Sequence, residues 1–538
     1  MFFYWKLKII SLNLQLQLLS DNCSNIQTIS WIDIVYNMPE IYLALVIFLG
    51  LILVGTANFA PSAHLLTQKK EVTLSLYEFA RSSLLIMLSL YLFQILSLLK
   101  TSVIVFNSYA IVDSYTQVLK CVILLTVWLL LTASRSYVIM HQRHLMEYPI
   151  LILLTTLFLV ILVSAYNLMT LFLAIIGFSL NIYVLLLYDS FSHSSREAGI
   201  KYYYLSTFSS GLIISAIFFA YLIFHNTSFL SISWILHNWS MFGTLHLKTG
   251  LLYVMMYFLI FGFLFKLAAF PCHLWAPEIY EGSPHPITAI FVLPIKVATF
   301  GLFLRLLSYT FSDLYFIWNY IIWMSALFSM LWGCFGALGE KITKRFIAYS
   351  SINQMGFLFM GLASGTFEGF RAALLYLVLY ILMNLAFFIL FLTTQEEKTD
   401  RSLIFLADLN DYAQDHYLYS ISLVIIFFSM AGIPPLGGFF GKYFLFLHSF
   451  EVGHYLLVFV GMLTSLIATY YYLRIIKIMW FDEISGTALQ FRTTFTETMF
   501  TIYVGIEFVL VWFIIWSPAL FKCLNVLTAT CINPLTAV

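Results

Sequence analysis

The sequence predicts an all-α polytopic membrane protein with about fourteen transmembrane helices, two of them broken. Of 538 residues, 62% are hydrophobic and only 9% are charged, whereas soluble domains are near 25% charged. Apolar runs of about 20 residues, long enough to cross a bilayer, recur along the chain. Two runs are too long for one span, and both contain proline, at Pro271 and at Pro434-Pro435. These interruptions predict broken helices inside the membrane.

The apolar runs divide the chain into five regions. Residues 1–38 are predicted to be an interfacial extension, because no small-residue cleavage site follows their short apolar start. Three peripheral spans follow in 39–146, five spans in 147–310, five more in 311–483, and the last span and a tail in 484–538. The predicted spans are 39–59, 81–99, 118–140, 148–165, 167–188, 201–224, 249–280, 286–308, 314–338, 344–363, 370–393, 417–448, 454–480 and 497–518.

Spans 4–8 and 9–13 form two sets of five, and the fourth member of each set is the broken one. An odd number of spans makes the second set inverted relative to the first. Interrupted helices at corresponding places in two halves are typical of transporters with an ion path at mid-membrane depth. The order of spans therefore predicts two inverted five-helix repeats.

The basic residues predict an orientation. Loops after odd-numbered spans carry 15 lysines and arginines, against 7 on the opposite side. Cytoplasmic or matrix loops are enriched in these residues. Both termini are therefore predicted on the other side, which is the intermembrane space if the membrane is mitochondrial.

Three lysines lie inside apolar runs near the breaks. Lys266 precedes Pro271, Lys296 lies in the next span, and Lys442 follows the second break. A charge at membrane depth costs about 2.5–3.5 kcal/mol on insertion scales, so function is the default interpretation. The alternative is that each amine snorkels to an interface, and this applies most to Lys442. Burial favours a neutral amine and a nearby carboxylate favours the charged one, so the three lysines are a candidate proton relay.

Other polar residues are weaker candidates. His273 and His285 flank the first break and could pass protons on, although bonding to broken-helix carbonyls is an equal alternative. Glu278 and Glu281 are expected to cap or solvate a helix end. Glu507 lies in the middle of the last span, where pairing with a neighbouring subunit and a structural role both stay open.

Several classes of function are not indicated. The net charge of +1 offers no field that would attract nucleic acid. No phosphate-binding glycine motif occurs, and the six cysteines have no metal-ligand spacing. We therefore expect no cofactor and no metal on this chain.

Five blocks of sequence resemble one family. They resemble subunit 2 of mitochondrial NADH dehydrogenase, the counterpart of the bacterial N subunit of respiratory complex I. The blocks are EYPILILLTTL at 147–157, SREAGIKYYYLSTFSSGLI at 195–213, FKLAAFPCHLWAPEIYEGSPHPITAI at 265–290, KRFIAYSSINQMGF at 344–357 and AGIPPLGGFFGKYF at 431–444.

The resemblance implies a fourteen-helix antiporter-like fold in the membrane arm of complex I, in the mitochondrial inner membrane. It implies proton translocation driven by NADH oxidation, with NADH, flavin mononucleotide, iron–sulfur clusters and ubiquinone on other subunits. The expected partners are other antiporter-like and small hydrophobic membrane-arm subunits and phospholipids. Lys266, Lys296 and Lys442 match the family's lysines of helices 7, 8 and 12.

Two positions depart from the family's pattern. Ile176 stands where the family has a glutamate that pairs with the helix 7 lysine, and Gln354 stands where a histidine is frequent in helix 10. Three accounts follow. Another carboxylate, from Glu147, Asp189 or a neighbouring subunit, replaces the missing one; protons use only the Lys296–Lys442 half; or the subunit is a structural spacer. A free-standing cation/proton antiporter is the alternative outside complex I.

Overall fold

The computed structural model describes residues 31–58, 65–97, 102–140, 147–188, 192–242, 249–396, 405–409, 417–482, 491–493 and 497–534. The chain divides into two units, residues 1–38 and 39–538. Of the first unit, the structure describes only the end, where α1 (Trp31–Tyr36) closes with a bond from the Asn37 amide to the Asp33 carbonyl. The rest of the predicted extension lies outside the described residues.

The second unit, 39–538, consists almost entirely of helices in its described parts. Its helices are α2 (Met38–Asn58, which begins one residue before the boundary), α3 (Leu65–Ser97), α4 (Ser114–Met140), α5 (Tyr148–Ser164), α6 (Leu168–Leu187), α7 (His193–Phe224), α8 (Phe229–Phe242), α9 (Thr249–Leu267), α10 (Trp275–Gly282), α11 (His285–Val292), α12 (Pro294–Arg305), α13 (Tyr315–Gly339), α14 (Thr343–Ala363), α15 (Phe367–Thr393), α16 (Tyr417–Ala431), α17 (Gly437–Glu451), α18 (Tyr455–Trp480), α19 (Glu497–Val511) and α20 (Phe513–Ile532).

Short elements join these helices. A π-helix covers Leu306–Thr310, and 3-10 turns cover Ser312–Leu314 and Leu406–Leu409. Strands β1 (Val103–Val105) and β2 (Ala110–Val112) form an antiparallel hairpin. Strands β3 (Thr394–Glu396) and β4 (Phe491–Thr493) form a second antiparallel pair.

The prediction of an all-α polytopic membrane protein is confirmed. Eleven helical stretches in the described ranges are long and apolar enough to cross a membrane. Four shorter apolar helical stretches, such as Tyr148–Ser164 and Tyr417–Ala431, fall within the remaining predicted spans. Both predicted breaks are present, between α9 and α10 and between α16 and α17.

The structure differs from the predicted spans at four places. Span 6 begins earlier, at His193, because a polar first turn can be helical without being apolar. The amphipathic helix α8 was not predicted, since its 14 residues are too few to span. Span 8 is itself broken between Val292 and Pro294. The last span continues past 518 to Ile532, bent at Trp512.

Burial separates a central group of helices from a peripheral one. The most apolar window of His285–Thr310 is 100% buried, and that of Thr343–Ala363 is 94% buried. The corresponding windows of Tyr455–Trp480 and Phe513–Ile532 are only 39% and 22% buried. The central helices therefore carry Lys296 and Gln354, while the peripheral ones present large apolar side chains outward, as lipid contact requires.

Extended segments connect the helices at one end of the first repeat. Ala110 of the β1–β2 hairpin bridges Ala165, and Asn167 bridges Ser228. The amide of Phe229 donates to the carbonyl of Tyr166 at 3.0 Å. We call this end the hairpin face, because the hairpin of residues 103–112 lies there.

Candidate functional site

Lys266 lies beside the first helix break and is 5% exposed. Its Nζ donates to the Ser206 hydroxyl of α7 at 2.7 Å and lies 5.5 Å from the centre of the Phe178 ring of α6. The break itself is closed by Trp275, whose indole donates to the carbonyl of Phe265 at 3.0 Å. Lys266 is therefore held inside the protein, and the snorkelling alternative is wrong for it.

No carboxylate accompanies Lys266 in the described part of the chain. Its amine has no acidic group within 4.0 Å, and the same holds for the amines of Lys296 and Lys442. Ile176, at the position of the family's glutamate, is half-buried on α6. Glu147 is exposed next to the first turn of α5 and makes no ion pair with Lys266. Asp189 lies outside the described residues. Substitution by Glu147 is therefore not supported.

Lys296 lies two residues after the unpredicted break of span 8. Its side chain is 1% exposed, and its Nζ has no hydrogen-bond partner among the described residues. The amine lies 5.9 Å from the centre of the Tyr380 ring of α15. The Tyr380 hydroxyl in turn donates to the carbonyl of Val292 at 3.0 Å, a carbonyl at the break that Pro294 helps to produce.

Lys442 lies across the second break from the carbonyls that it binds. Its Nζ donates to Met430 at 3.0 Å and to Ala431 at 2.8 Å, at the end of α16. The side chain is 5% exposed, so the snorkelling alternative is also wrong here. Gly432, with a φ of +88°, continues the chain into Pro434 and Pro435. The ammonium thus takes the place of the backbone donors that the break removes.

A polar connection leads from Lys296 into the second repeat. The side-chain amide of Asn384 donates to the carbonyl of Tyr380 at 2.9 Å and to Oε1 of Gln354 at 3.3 Å. The Tyr472 hydroxyl of α18 faces Gln354. Gln354 is 3% exposed, so it lies inside this connection, where it can hold a bound water but cannot itself carry a proton at neutral pH.

Tyr376 completes the connection towards Lys442. Its ring packs against Gly441, the neighbour of Lys442, and one helical turn separates it from Tyr380. The buried hydroxyls of Tyr376 and Ser429 have no hydrogen-bond partner among the described residues. Native buried polar groups are almost always satisfied by protein or bound water, so this region is suited to hydration.

The two histidines lie on either side of α10. His273 is in the turn before it, and His285 is the first residue of α11. The His273 ring stacks on Phe270 and meets the edge of Trp332, with centroids 5.7 and 5.6 Å away. The His285 ring contacts Phe391 at 4.7 Å. Both are buried among aromatic rings.

Glu278 and Glu281 form ion pairs rather than a relay. Glu278 receives Lys201 at 2.8 Å, and Glu281 receives Arg345 at 2.5 Å. In the loop before α14, burial raises the pKa of the Glu340 carboxyl, while Arg345 opposes this change and Glu281 adds to it. The sequence predicted that both glutamates cap or solvate a helix end; both are at least partly exposed on α10, and the ion pairs with Lys201 and Arg345 were not predicted.

Glu507 is half-buried on α19 and accepts a hydrogen bond from the Tyr503 hydroxyl one turn earlier, at 2.5 Å. It also faces Ser422 of α16. Ser422 places the carboxyl against α16 of the second repeat. A role in pairing with another subunit stays a prediction.

Three important residues were missed in the sequence. Pro294 stands inside an apolar run, as Pro271 does, and could have been recognised as a break. Ser206 and Tyr380 carry no such signal, because their importance depends on which helices pack together. Among the described residues, no three His, Cys, Asp or Glu side chains are grouped to hold a metal.

The fold and the buried lysines define a class, the antiporter-like polytopic membrane subunits. A family model described as NADH:quinone oxidoreductase/Mrp antiporter, TM, matches residues 165–468. Subunit N of NADH-quinone oxidoreductase from Parvibaculum lavamentivorans is 36% identical over 385 residues, covering 72% of this chain and 78% of the relative. The subunit from Paramagnetospirillum magneticum is 33% identical over 460 residues, covering 85% and 90%.

The chain therefore belongs to the NADH:quinone oxidoreductase/Mrp antiporter family, as an antiporter-like membrane subunit of the subunit N type. The family resemblance predicted from the five sequence blocks is confirmed. Solved structures share the fold at low identity. A chain of respiratory complex I from Thermus thermophilus has a TM-score of 0.71 at 21% identity, covering 90% of this chain and 99% of that one. A chain of the Mrp complex from Dietzia sp. has a TM-score of 0.76 at 16% identity, covering 93% and 98%.

Proposed function

We propose that this chain is a membrane-arm subunit of respiratory complex I that translocates protons through Lys296 and Lys442. The observation that carries the proposal is the Lys296 amine, which is 1% exposed and has no hydrogen-bond partner among the described residues. A buried amine without a fixed partner is a group that can gain and lose a proton at membrane depth. Gln354, Asn384 and the buried tyrosines offer a hydratable connection from it towards Lys442.

The surroundings of Lys266 favour the account in which protons use the second half alone. Its amine is bonded to one hydroxyl, Ser206, and no acidic group of the described chain is nearby. Without a carboxylate to favour its charged form, Lys266 lacks the switch that the family's glutamate provides at the position of Ile176. The structural spacer is the second candidate, and this same observation supports it.

The location and partners belong to the proposal. The wording of the sequence blocks favours the mitochondrial inner membrane, and the loop charges favour termini in the intermembrane space. Other membrane subunits of the complex would cover the apolar surface, and NADH oxidation, flavin, iron–sulfur and quinone chemistry would lie on other chains. Protease protection of a C-terminal tag, in mitochondria with intact and with ruptured outer membranes, tests the orientation.

The decisive experiment replaces Lys296 by Met in the intact complex, reconstituted in vesicles with NADH and a quinone. We expect normal assembly and a lower proton-to-electron ratio. The matched control is Lys477→Met, because Lys477 is exposed and forms its ion pair with Asp482, at 3.4 Å, at the surface. We expect Lys266→Met to leave the ratio unchanged.

The alternatives give different results. An unchanged ratio in Lys296→Met would leave the structural spacer as the function. Sodium-driven proton exchange by the purified chain alone, without co-purifying NADH oxidation, would identify a free-standing antiporter instead.

A further inference from the structure

Two buried ion pairs lie outside the row of three lysines. Lys120 contacts Glu40 at 2.5 Å, with side chains 0% and 12% exposed. Arg305 contacts Asp113, with side chains 0% and 1% exposed. Removing two charges from water costs several kcal/mol per ion, and an apolar pair of similar volume is often as stable. Two such pairs in one region therefore need an explanation beyond stability.

Both pairs lie on one line along α4. Asp113 immediately precedes the helix, Gln117 comes four residues later, and Lys120 three residues after that. Residues three and four apart are neighbours on a helix surface. We call Asp113, Gln117 and Lys120 the α4 stripe. It starts at the hairpin face, because Asp113 directly follows β2.

The partners of the stripe come from three other helices. Glu40 belongs to α2 and Arg305 to α12, the helix of Lys296. The Lys120 amine lies 5.5 Å from the centre of the Tyr91 ring of α3. The Arg305 guanidinium lies 4.8 Å from the Tyr115 ring, and the π-helix of residues 306–310 follows it directly. Single-turn π-helices are frequent at functional sites.

The stripe contains polar atoms that the described protein leaves unsatisfied. Gln117 is 0% exposed, and neither its amide nitrogen nor its amide oxygen has a partner there. Oε2 of Glu40 and both Nε and Nη1 of Arg305 are in the same situation. Buried polar groups of this kind are normally satisfied by bound water, which needs two to four polar partners. Gln117, between two ion pairs, supplies such partners.

We propose that the α4 stripe and its partners Glu40 and Arg305 bind a chain of water molecules that joins the two ion pairs and exchanges protons with solvent at Glu40. Glu40 is the opening because its side chain is 12% exposed. The side chains of Lys120, Arg305 and Asp113 are at most 1% exposed, and Gln117 is fully buried. Each water in such a chain accepts one proton and donates another, so charge moves and no molecule does. The proposal rests on the proton translocation proposed above, for which it adds a second hydrated site.

The test is Gln117→Leu in the intact complex, with two measurements. A high-resolution density map should show ordered waters at Gln117 and at both ion pairs in the unmodified complex, and their loss in the variant. This subunit's contribution to the proton-to-electron ratio should fall at least twofold. The rate of uncoupled NADH oxidation should be unchanged. A purely structural glutamine would leave the ratio unchanged, because leucine fills a similar volume and removes two unsatisfied atoms.

Thr126→Val is the matched control. Thr126 is buried on the same helix, off the stripe, and its hydroxyl donates to the Ile123 carbonyl of its own helix. In Thr126→Val we expect the ordered waters along the α4 stripe and the proton-to-electron ratio to match those of the unmodified complex. If Gln117→Leu reduces assembly, Glu40→Leu combined with Lys120→Met replaces one ion pair by an apolar pair and is expected to lower the ratio likewise.

Three outcomes would overturn the proposal. They are an absence of water at Gln117 in the unmodified complex, an unchanged ratio in an assembled Gln117→Leu complex, and an unchanged ratio in the assembled double variant. Lys296→Met separates this failure from that of the proposed function. A lowered ratio in Lys296→Met with a normal ratio in Gln117→Leu removes only the α4 stripe.

Discussion

The two broken helices differ in which side chain binds the backbone carbonyls at the break. At the first break, the carbonyl of Phe265 accepts from the Ala268 amide and from the neutral indole of Trp275, and Lys266 contacts a single hydroxyl. At the second, the freed carbonyls of Met430 and Ala431 are bound by Lys442 itself. In the first repeat the structural donor and the buried amine are different residues, whereas in the second they are one.

This difference separates structure from function in one half of the molecule and joins them in the other. Lys266 can be removed without opening its break, because Trp275 remains. Lys442 cannot, because an unsatisfied buried carbonyl costs about 1–3 kcal/mol. Loss of the helix 5 glutamate, replaced by Ile176, concerns the repeat in which the lysine is the more dispensable.

The largest effect is expected from Gly438→Ala, which disturbs the close backbone packing at the second helix break. A Cβ on Gly438 would lie 1.8 Å from the carbonyl oxygen of Ser429, which is backbone and cannot turn away. We expect a loss of about 3 kcal/mol or more, at the upper end of overpacking costs. The amount of this subunit in the assembled complex should fall sharply, as measured on native gels. Gly505→Ala is the control, since open space surrounds that glycine; equal assembly of the two variants would contradict the prediction.

An intermediate effect is expected from the two lysines compared as methionine variants. Lys442→Met should destabilise the subunit by about 2–4 kcal/mol, because two carbonyls lose their donor. Lys266→Met should cost less than about 1 kcal/mol, since the Ser206 hydroxyl can turn to a carbonyl of its own helix. The thermal unfolding midpoint of the purified complex measures both. Equal midpoints would remove the distinction between the two breaks.

The smallest effect is expected from Ser206→Asp, which places a carboxylate beside Lys266. The Coulomb attraction should offset the cost of burying the new charge, so stability should change by about 1 kcal/mol or less. If protons use only the second half, the proton-to-electron ratio should equal that of the unmodified complex. A changed ratio would show that the first half takes part, and Ile176→Glu would then be the next variant to compare.

The sequence was sufficient for the architecture because membrane spans have strong local signals. Apolar length located the helices, and Pro271 and Pro434-Pro435 located two breaks. Pro294 carried the same signal and was overlooked, since its run has the length of one ordinary span. Helix α8 and the start of α7 were missed because amphipathic or polar turns do not raise hydropathy.

The sequence was less informative about the environment of each lysine. That Lys266 meets Ser206 and that Lys442 binds Met430 depends on how helices pack, which no local pattern encodes. The ion pairs join residues 80 and 192 positions apart. Burial of the lysines was predictable from the cost of charge in a membrane, but their partners were not.

Helix α20 packs against the start of α4. The Ser114 hydroxyl at the start of α4 donates to Thr530 of α20 across 416 residues, and Cys531 meets Ser308 at 3.6 Å. During synthesis, the segment around Arg305 and Asp113 therefore enters the membrane long before the helix that covers it. Until α20 arrives, the nascent subunit leaves this buried ion pair without the helix that packs beside it.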